Sequence, residues 1–353
     1  MSSPILSYSR DFFEEQVKPL LLREFPEETA QTAFGIWGYG SEVLGLDDEF
    51  SRDHHWGIRI NAVMPDALHR ARRDAMTAVV EARLPDSFRG IELEVGKTPG
   101  KGLSLDNREA FLERTIGLLH APTTEAEWLS IPEEDILHIV GGEVWYDPSG
   151  VFTSIREVFQ GYYPEPVRRR RIAHWCRYYS GMGAYALKRA ILRDNDLYSV
   201  TTFARAIKLG VQLAFLLDRV YFPYDKWLWH YFERLPRMAD RMGTLVAEAV
   251  KLATPWARKL ELLDAISDVL DRVMVEDGLL QPHAPLKGSP TSGYRLMESA
   301  YAEILRGLPA EIRTLVPVWD QIPFERFHSG YVAGLDEATW RGLLNLTPRQ
   351  EGA

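Results

Sequence analysis

The stretch that decides the predicted fold occupies residues 32–53 and reads TAFGIWGYGSEVLGLDDEFSRD. Its first part, Thr32 to Trp37, is compact and apolar and predicts a buried strand. That strand leads directly into the glycine-rich turn of residues 38–41. A polar, acidic spacer follows, and a second strand is predicted from Asp53 to Val63. The segment therefore predicts a strand, a Gly-Ser turn and a second strand that opens on an aspartate.

The turn and the aspartate have the residue types of a site for phosphate and metal. Gly40 lets the backbone come close to a ligand, and the amides and the Ser41 hydroxyl of such a turn can hold phosphate oxygens. Eleven residues separate Ser41 from Asp53, whose carboxylate can hold a divalent cation that bridges the phosphates. On a strand, Asp53 and His55 share one face. His55 is then either a metal ligand or base, or a histidine packed beside its aromatic neighbour with its ring nitrogens hydrogen-bonded.

A third strand is predicted at Gly90 to Val95, because apolar residues alternate there with Glu92 and Glu94. If this strand lies beside the second one, Glu92 or Glu94 adds another carboxylate to the same ion. The pattern does not choose between the two. The alternative is that both glutamates face solvent on an edge strand.

Composition limits the class of partner. The chain has 353 residues, with 50 acidic against 41 basic side chains and a formal net charge of −9, and it contains a single cysteine. This charge argues against non-specific binding to duplex nucleic acid or anionic membranes. The N-terminus lacks the pattern of a signal peptide, and the apolar run at residues 210–217 is too short to span a bilayer. We therefore expect a cytoplasmic protein that works away from the membrane.

The character of the chain changes after Pro122. Before it, the predicted strands alternate with amphipathic helices at Tyr8–Arg23, at residues 66–82 and at Asn107–Leu119. After it, helical periodicity dominates and a short strand at Glu143–Tyr146 is the exception. Helices are predicted there at Arg168–Leu192, Leu197–Val220, 225–235, 238–253, 257–276 and 293–308. These patterns predict an α+β domain at residues 1–121, with a small mixed sheet and flanking helices, and a mainly α-helical domain at residues 122–353.

The Gly-Ser turn and the following aspartate resemble the motif of the nucleotidyltransferase superfamily, which has the polymerase-beta-like fold. In that motif a Gly-Ser pair is followed, after about ten residues, by Asp-x-Asp on a strand and later by a third carboxylate. Gly40, Ser41 and Asp53 match it in type and spacing, whereas His55 stands where the second aspartate belongs. The departure matters because Mg²⁺ prefers oxygen ligands and imidazole suits softer metals.

Further segments resemble one specific bacterial group, the uncharacterised domain-of-unknown-function 4037 family. These segments are Gly40–Gly57, Trp128–Leu129, Pro132, Gly141–Gly142, Asp147, Gly150, Tyr162–Pro164, Arg193–Asp194 and Asp218–Trp227. The resemblance implies a kanamycin-nucleotidyltransferase-like plan, in which a helical domain follows and closes on a nucleotide-binding domain. It implies no particular substrate.

Together these features predict a metal-dependent nucleotidyltransferase. It would use Mg²⁺ or Mn²⁺ and a nucleoside triphosphate, with ATP the first candidate, and would transfer the nucleoside monophosphate to a small-molecule or protein acceptor. Gly40 and Ser41 would hold phosphates, and the metal ligands would come from Asp53, His55, Glu92 and Glu94. Two basic residues of the second domain, Arg168 in an arginine run and Lys226 in an aromatic cluster, would contact phosphate or acceptor.

Two other interpretations stay open at this point. A non-catalytic nucleotide-binding protein of the same fold, acting as a sensor or as a toxin–antitoxin partner, would explain why His55 replaces an aspartate. A different reaction that uses His54 and His55 with a transition metal is the third possibility. The sequence leaves the oligomeric state open.

Overall fold

The structure is a computed structural model, and it describes residues 4–53, 57–93, 100–180, 185–282 and 292–315. Two compact units are distinguished. The first, here called unit 1, consists of Met1–Pro122 and Asp135–Gly161; the second, unit 2, consists of Thr123–Glu134 and Tyr162–Ala353. The segment 135–161 therefore packs with the N-terminal part, although the sequence placed it in the helical domain.

The strands of unit 1 form two sheets. In chain order they are β1 (Ala33–Ile36), β2 (Ile60–Met64), β3 (Ser87–Phe88), β4 (Ile91–Glu92), β5 (Leu103–Asn107) and β6 (Glu143–Tyr146). A four-stranded sheet has the order β5-β2-β1-β6, and β3 and β4 form a separate two-stranded sheet. The expectation of a small mixed sheet is confirmed, since β2 runs parallel to β5 and antiparallel to β1.

The register of the large sheet brings four chain segments to one edge. In the antiparallel pairs of β1, Gly35 lies opposite Asn61 of β2, and Ile36 lies opposite Glu143 of β6. In the parallel pair, Ile60 lies opposite Leu103. The end of β1 therefore meets the starts of β2, β5 and β6. The glycine-rich turn after β1 is built at this edge.

Helices of unit 1 cover the sheet with apolar side chains. They are α1 (Pro4–Phe12), α2 (Lys18–Glu24), α3 (Pro26–Thr29), α4 (Asp66–Arg83), α5 (Arg108–Ile116), α7 (Ile136–Val140) and α8 (Val151–Gln160), with a π-helical turn at Phe13–Val17 between α1 and α2. Phe12, Phe13, Met76 and Val80 are fully buried in one core with the apolar side chains of β2. Met76 and Val80 are four residues apart, so one helical face supplies them.

Unit 2 is helical. Its helices are α6 (Glu125–Ser130), α9 (Glu165–Tyr178), α10 (Tyr185–Ile191), α11 (Asp196–Asp218), α12 (Leu228–Phe232), α13 (Met238–Ala249), α14 (Trp256–Glu276), α15 (Ser292–Arg306) and α16 (Ala310–Arg313). Helix α11 is long and apolar enough to cross a membrane by length and composition, but most of its apolar window is buried inside the structure. Such burial is typical of the core helix of a folded domain.

Two predicted elements differ from the structure. The second strand begins at Ile60, and Asp53 instead ends a 3₁₀ helix at Glu49–Asp53. The Asp48 carboxylate accepts hydrogen bonds from the Phe50 amide at 3.1 Å and the Ser51 hydroxyl at 2.9 Å, which favours a local turn over a strand. Within the described part of the predicted third strand, Ile91–Glu92 form β4, and β5 takes the place beside β2.

The predicted helix at Arg168–Leu192 is described in two parts. Helix α9 (Glu165–Tyr178) continues into π-helical residues 179–180, and α10 covers Tyr185–Ile191. By contrast, the strand at Glu143–Tyr146 has the predicted bounds, and α11 differs by one residue at its start and two at its end from the predicted Leu197–Val220.

Candidate functional site

The candidate site is the turn of residues 38–45, which follows β1 at the shared edge of the large sheet. Two backbone hydrogen bonds close it, from Leu46 to the Ser41 carbonyl at 2.8 Å and from Gly45 to the Glu42 carbonyl at 3.1 Å. Gly40 has a φ of 150°, and the Ser41 side chain is buried. The predicted Gly-Ser turn is therefore present, with its serine inside the fold.

Arg59, just before β2, stabilises this turn through two hydrogen bonds and an ion pair. Its Nη1 donates to the Tyr39 carbonyl at 3.0 Å and its Nη2 to the Trp37 carbonyl at 3.3 Å. The same Nη1 lies 3.0 Å from Oε1 of Glu42. Burial lowers the pKa of Arg59, and the Glu42 carboxylate partly offsets this. One cation thus binds both backbone and side chain of the turn.

The Glu42 carboxylate lies directly against Gly40. A Cβ atom added at Gly40 would be 2.4 Å from Oε1 of Glu42, a contact that no side chain could keep. A glycine at this position therefore lets an acidic group approach the backbone of the turn. The Glu42 carboxylate, which is paired with Arg59, therefore lies against the backbone of Gly40, where a glycine turn can hold an anion.

A Gly-Gly pair between α7 and β6 supports the turn from the other side. The Gly142 amide donates to the Val43 carbonyl at 3.1 Å. A Cβ at Gly142 would be 2.0 Å from the Ile36 carbonyl oxygen, and the φ of Gly142 is 69°. From α8, Nη2 of Arg156 donates to the Gly142 carbonyl at 3.2 Å and to the Val140 carbonyl at 2.9 Å. The Gly141–Gly142 pattern of the sequence therefore has a structural explanation.

His138, on α7, completes the surroundings of the turn. Its carbonyl accepts from the Gly38 amide at 3.0 Å, and its ring stacks on Tyr39 with centroids 5.3 Å apart. Burial lowers the pKa of His138 to about 4, so the imidazole is neutral at pH 7. Sequence reasoning missed Arg59, His138 and Arg156. The available signal was a lone arginine between Ile58 and Ile60, in an otherwise apolar stretch.

Of the four predicted metal ligands, Glu92 has a described side chain, and the side chains of Asp53, His55 and Glu94 lie outside the described part of the structure. Glu92 is exposed on β4, opposite Ser87, in the small sheet and not beside β2. The backbone of Asp53 ends a 3₁₀ helix, whereas His55 and Glu94 lie outside the described residues. Within the described ranges, no group of three or more His, Cys, Asp or Glu side chains could hold a metal ion.

Strand β5, which lies beside β2, carries its carboxylate at the end away from the turn. Asp106 of β5 is opposite Val63, at the far end of β2 from Arg59, and it is paired with Arg114. Strand β5 therefore supplies no carboxylate at the edge where the turn lies. Glu143 of β6 does lie at that edge, where it accepts from Nε1 of Trp145 at 2.9 Å and is 3.6 Å from Nη1 of Arg10.

The two basic residues predicted in unit 2 have different surroundings. Arg168 is 3% exposed; its guanidinium binds both oxygens of Glu165 at 3.0 Å and donates to the Leu216 carbonyl at 3.2 Å. A role in phosphate binding would require these bonds to be exchanged. Lys226 is exposed, with its Nζ 4.9 Å from the centre of the Trp227 ring. Its contact with phosphate or acceptor stays a prediction.

The comparison with family models confirms the resemblance for one segment. Residues 128–228 match the family model described as "Domain of unknown function (DUF4037)". This segment runs from within α6 to the first residue of α12. It includes the Gly141–Gly142 pair that supports the turn.

Among solved structures, the chain is similar to a nucleotidyltransferase-like protein from Exiguobacterium sibiricum 255-15. The sequence identity is 9%, the TM-score is 0.39, and the match covers 82% of this chain and 90% of that one. Both values are low, so this similarity supplies no evidence about substrate or mechanism. No curated protein matches the chain significantly.

Proposed function

We propose that this chain is a nucleotidyltransferase, which binds the phosphates of a nucleoside triphosphate at the turn of residues 38–45. The observation that carries this proposal is the position of the turn. It follows β1 at the edge where β2 and β5 begin, and Arg59 holds it there. A glycine turn with an adjacent guanidinium is a suitable binding site for phosphate oxygens.

In this proposal the backbone of Gly40 and the Ser41 side chain orient the phosphates, and Arg59 supplies positive charge. The Glu42 carboxylate, now paired with Arg59 and lying against Gly40, occupies the place of an anion. An incoming phosphate would displace Glu42 and take its position beside Arg59. Positioning and charge neutralisation supply most of the rate in reactions of this class.

A metal requirement belongs to the proposal and has no further support in the described residues. Asp53 is the first candidate ligand for Mg²⁺ or Mn²⁺, with His55 and with Glu92 or Glu94 as the further ones. Because the described carboxylates do not converge, we assign no chemical step to a metal ion. The acidic net charge favours a small-molecule or protein acceptor over long nucleic acid.

The test is transfer of label from α-labelled nucleoside triphosphates to acceptors in a cell extract, with Mg²⁺ or Mn²⁺. The wild type is compared with Asp53→Ala and with Glu49→Ala, which removes an exposed acid from the same 3₁₀ helix. We expect labelled product from wild type and Glu49→Ala and none from Asp53→Ala. Equal transfer by Asp53→Ala, or no labelled product with any triphosphate, contradicts the proposal.

A non-catalytic nucleotide-binding protein is the second candidate. It is favoured by His55 at the position of the second aspartate and by the location of Glu92 outside the large sheet. Binding of triphosphate without any transfer would support this alternative. The variant His55→Asp separates the two: new or greatly increased transfer identifies the natural protein as a weakened or non-catalytic form, whereas loss of an existing activity makes His55 a working residue.

A further inference from the structure

Four consecutive arginines open helix α9, and one of them differs from the others in its surroundings. Arg168 and Arg169 both bind the Glu165 carboxylate. Arg171 lies 3.3 Å from Glu133, and its Nη2 donates to the carbonyls of Trp128 at 2.7 Å and Ile131 at 2.8 Å. Each of these three guanidinium groups is therefore paired with a carboxylate within unit 2, although Nε and Nη1 of Arg171 make no hydrogen bond.

Arg170 has no such match. It is 5% exposed, yet its Nε and Nη1 are buried without any hydrogen-bond partner. Among the described residues, no carboxylate is within ion-pair distance of it. A buried guanidinium without an anion is costly, because desolvation is not offset by Coulombic attraction or hydrogen bonds. Its presence therefore points to an anion that is not part of the described chain.

Among the described residues, the groups that act electrostatically on Arg170 are Arg177 and the neutral Tyr301 hydroxyl. His174 and Arg177 follow it four and seven residues later, so all three lie on one face of α9. Arg177 is exposed, and its Nη1 donates to the hydroxyl of Tyr301, on α15, at 2.7 Å. Arg170 and Arg177 are about 10 Å apart along the helix axis. A buried cation thus lies at one end of this face and an exposed cation at the other.

We propose that Arg170, His174 and Arg177 form a binding site in unit 2 for a phosphate group. The choice of phosphate over a simple carboxylate rests on charge. Two guanidinium groups on one helix face can neutralise about two negative charges, which a phosphate carries near neutral pH and a carboxylate does not. Arg170 binds the anion in the interior, and Arg177 attracts it at the surface.

The electrostatic state of the site agrees with this assignment. The pKa of Arg170 is lowered to about 10, mainly by burial and in smaller part by the guanidinium of Arg177, while Tyr301 acts to raise it; the group stays charged at pH 7. Burial and the guanidinium groups of Arg170, Arg171 and Arg177 lower the pKa of His174 to about 3. A neutral imidazole can still donate one hydrogen bond to an oxyanion.

The experiment is calorimetric titration of the full chain with inorganic pyrophosphate in phosphate-free buffer. Inorganic phosphate and acetate serve as separate arms. We expect pyrophosphate and phosphate to bind and acetate not to bind. Arg170→Gln should weaken pyrophosphate binding about tenfold or more, which corresponds to the loss of a hydrogen bond to a charged group.

A control variant separates this site from the other cations of α9. Arg169→Gln removes a half-buried guanidinium of the same helix and should bind pyrophosphate like wild type. If Arg170→Gln does not fold, Arg177→Gln, at an exposed position, should weaken binding several-fold.

The proposal is overturned if wild type binds neither phosphate nor pyrophosphate, or if acetate binds equally well. Unchanged affinity in Arg170→Gln, or in Arg177→Gln where Arg170→Gln does not fold, overturns it too. Equal loss of affinity in Arg169→Gln would show general attraction of anions to α9 and no specific site.

Discussion

The Nη1 atom of Arg59 lies 3.0 Å from the carbonyl oxygen of Tyr39, so the residue before β2 holds the turn that follows β1. The same nitrogen is 3.0 Å from the Glu42 carboxylate. These two contacts join the residue that precedes β2 to the turn that follows its antiparallel neighbour β1. They make the shape of the turn depend on the pairing of the sheet and on a single cation.

Arg59→Ala is therefore expected to loosen the turn. The variant loses two hydrogen bonds from a charged donor and leaves Glu42 without its cation, and we expect the free energy of unfolding to fall by about 1.5–3 kcal/mol. Urea unfolding measures this. Arg70→Ala, which breaks an exposed pair with Asp66, is the control and should change stability by less than about 1 kcal/mol. An equal loss of unfolding free energy in the two variants would contradict the role of Arg59 in stabilising the turn.

Gly142→Ala should be far more damaging than Gly150→Ala. Both glycines have a φ close to 70°, so both variants carry the cost of a left-handed alanine, about 1–2 kcal/mol. A Cβ at Gly142 would also be 2.0 Å from the Ile36 carbonyl oxygen, whereas a Cβ at Gly150 meets nothing within 4 Å. We expect an additional loss of about 1–3 kcal/mol at Gly142, measured by urea unfolding. If the two variants are equally stable, β6 does not pack against β1 as described.

In unit 2, Glu133→Gln should be strongly destabilising. Glu133 accepts from Nε1 of Trp175 at 2.8 Å and lies 3.3 Å from Arg171, and all three side chains are buried. The substitution leaves the Arg171 charge without its counter-ion, and breaking a buried pair in this way costs about 3–5 kcal/mol. Glu261→Gln, in an exposed pair with Arg258, is the matched control and should cost under about 1 kcal/mol. Thermal unfolding of both variants decides the comparison.

His174 should make stability depend on pH below neutrality. Its pKa is lowered from 6.5 to about 3, first by burial and then by the neighbouring arginines. Above pH 6.5 the histidine is neutral in both folded and unfolded chains, and its contribution is complete. As the pH falls from 6.5 towards 3, the unfolded chain binds a proton that the folded chain does not, so stability falls by up to about 1.4 kcal/mol per pH unit.

The measurement is the free energy of unfolding at pH 7, 6 and 5, in wild type and His174→Gln. The variant should lose less stability over this range than the wild type. Identical slopes would show that His174 is accessible to protons in the folded chain.

Local patterns predicted several elements closely. The strand at Glu143–Tyr146 has the predicted bounds, and β1 falls within the predicted Thr32–Trp37. The pairing of Arg168 with Glu165 also has a local signal, since a carboxylate three residues earlier on a helix lies on the same face. Strand β5 was missed because its two buried leucines, Leu103 and Leu105, form too short an alternation to stand out beside a loop of glycine, lysine and proline.

The candidate site was predicted in part. The Gly-Ser turn is where the motif placed it, at the end of the first strand. Its supports were not predicted, because Arg59 is 20 residues from Tyr39, and Gly142 is 99 residues from Val43 in the chain. Contacts over such separations depend on which strands pair, and no local pattern encodes that. Asp53, His55 and Glu94 as ligands stay predictions.

The sequence by itself determined strands β1 and β6, long helices such as α11, the glycine turn and the acidic balance of the chain, because each depends on local composition or on the order of residues over short distances. The tertiary structure decided which strand lies beside β2, and thereby moved Glu92 away from the large sheet. It also decided that Arg168 is paired and that Arg170 is buried without an acceptor. The physical reason is that burial and charge pairing depend on neighbours distant in the chain, which only the packed fold brings together.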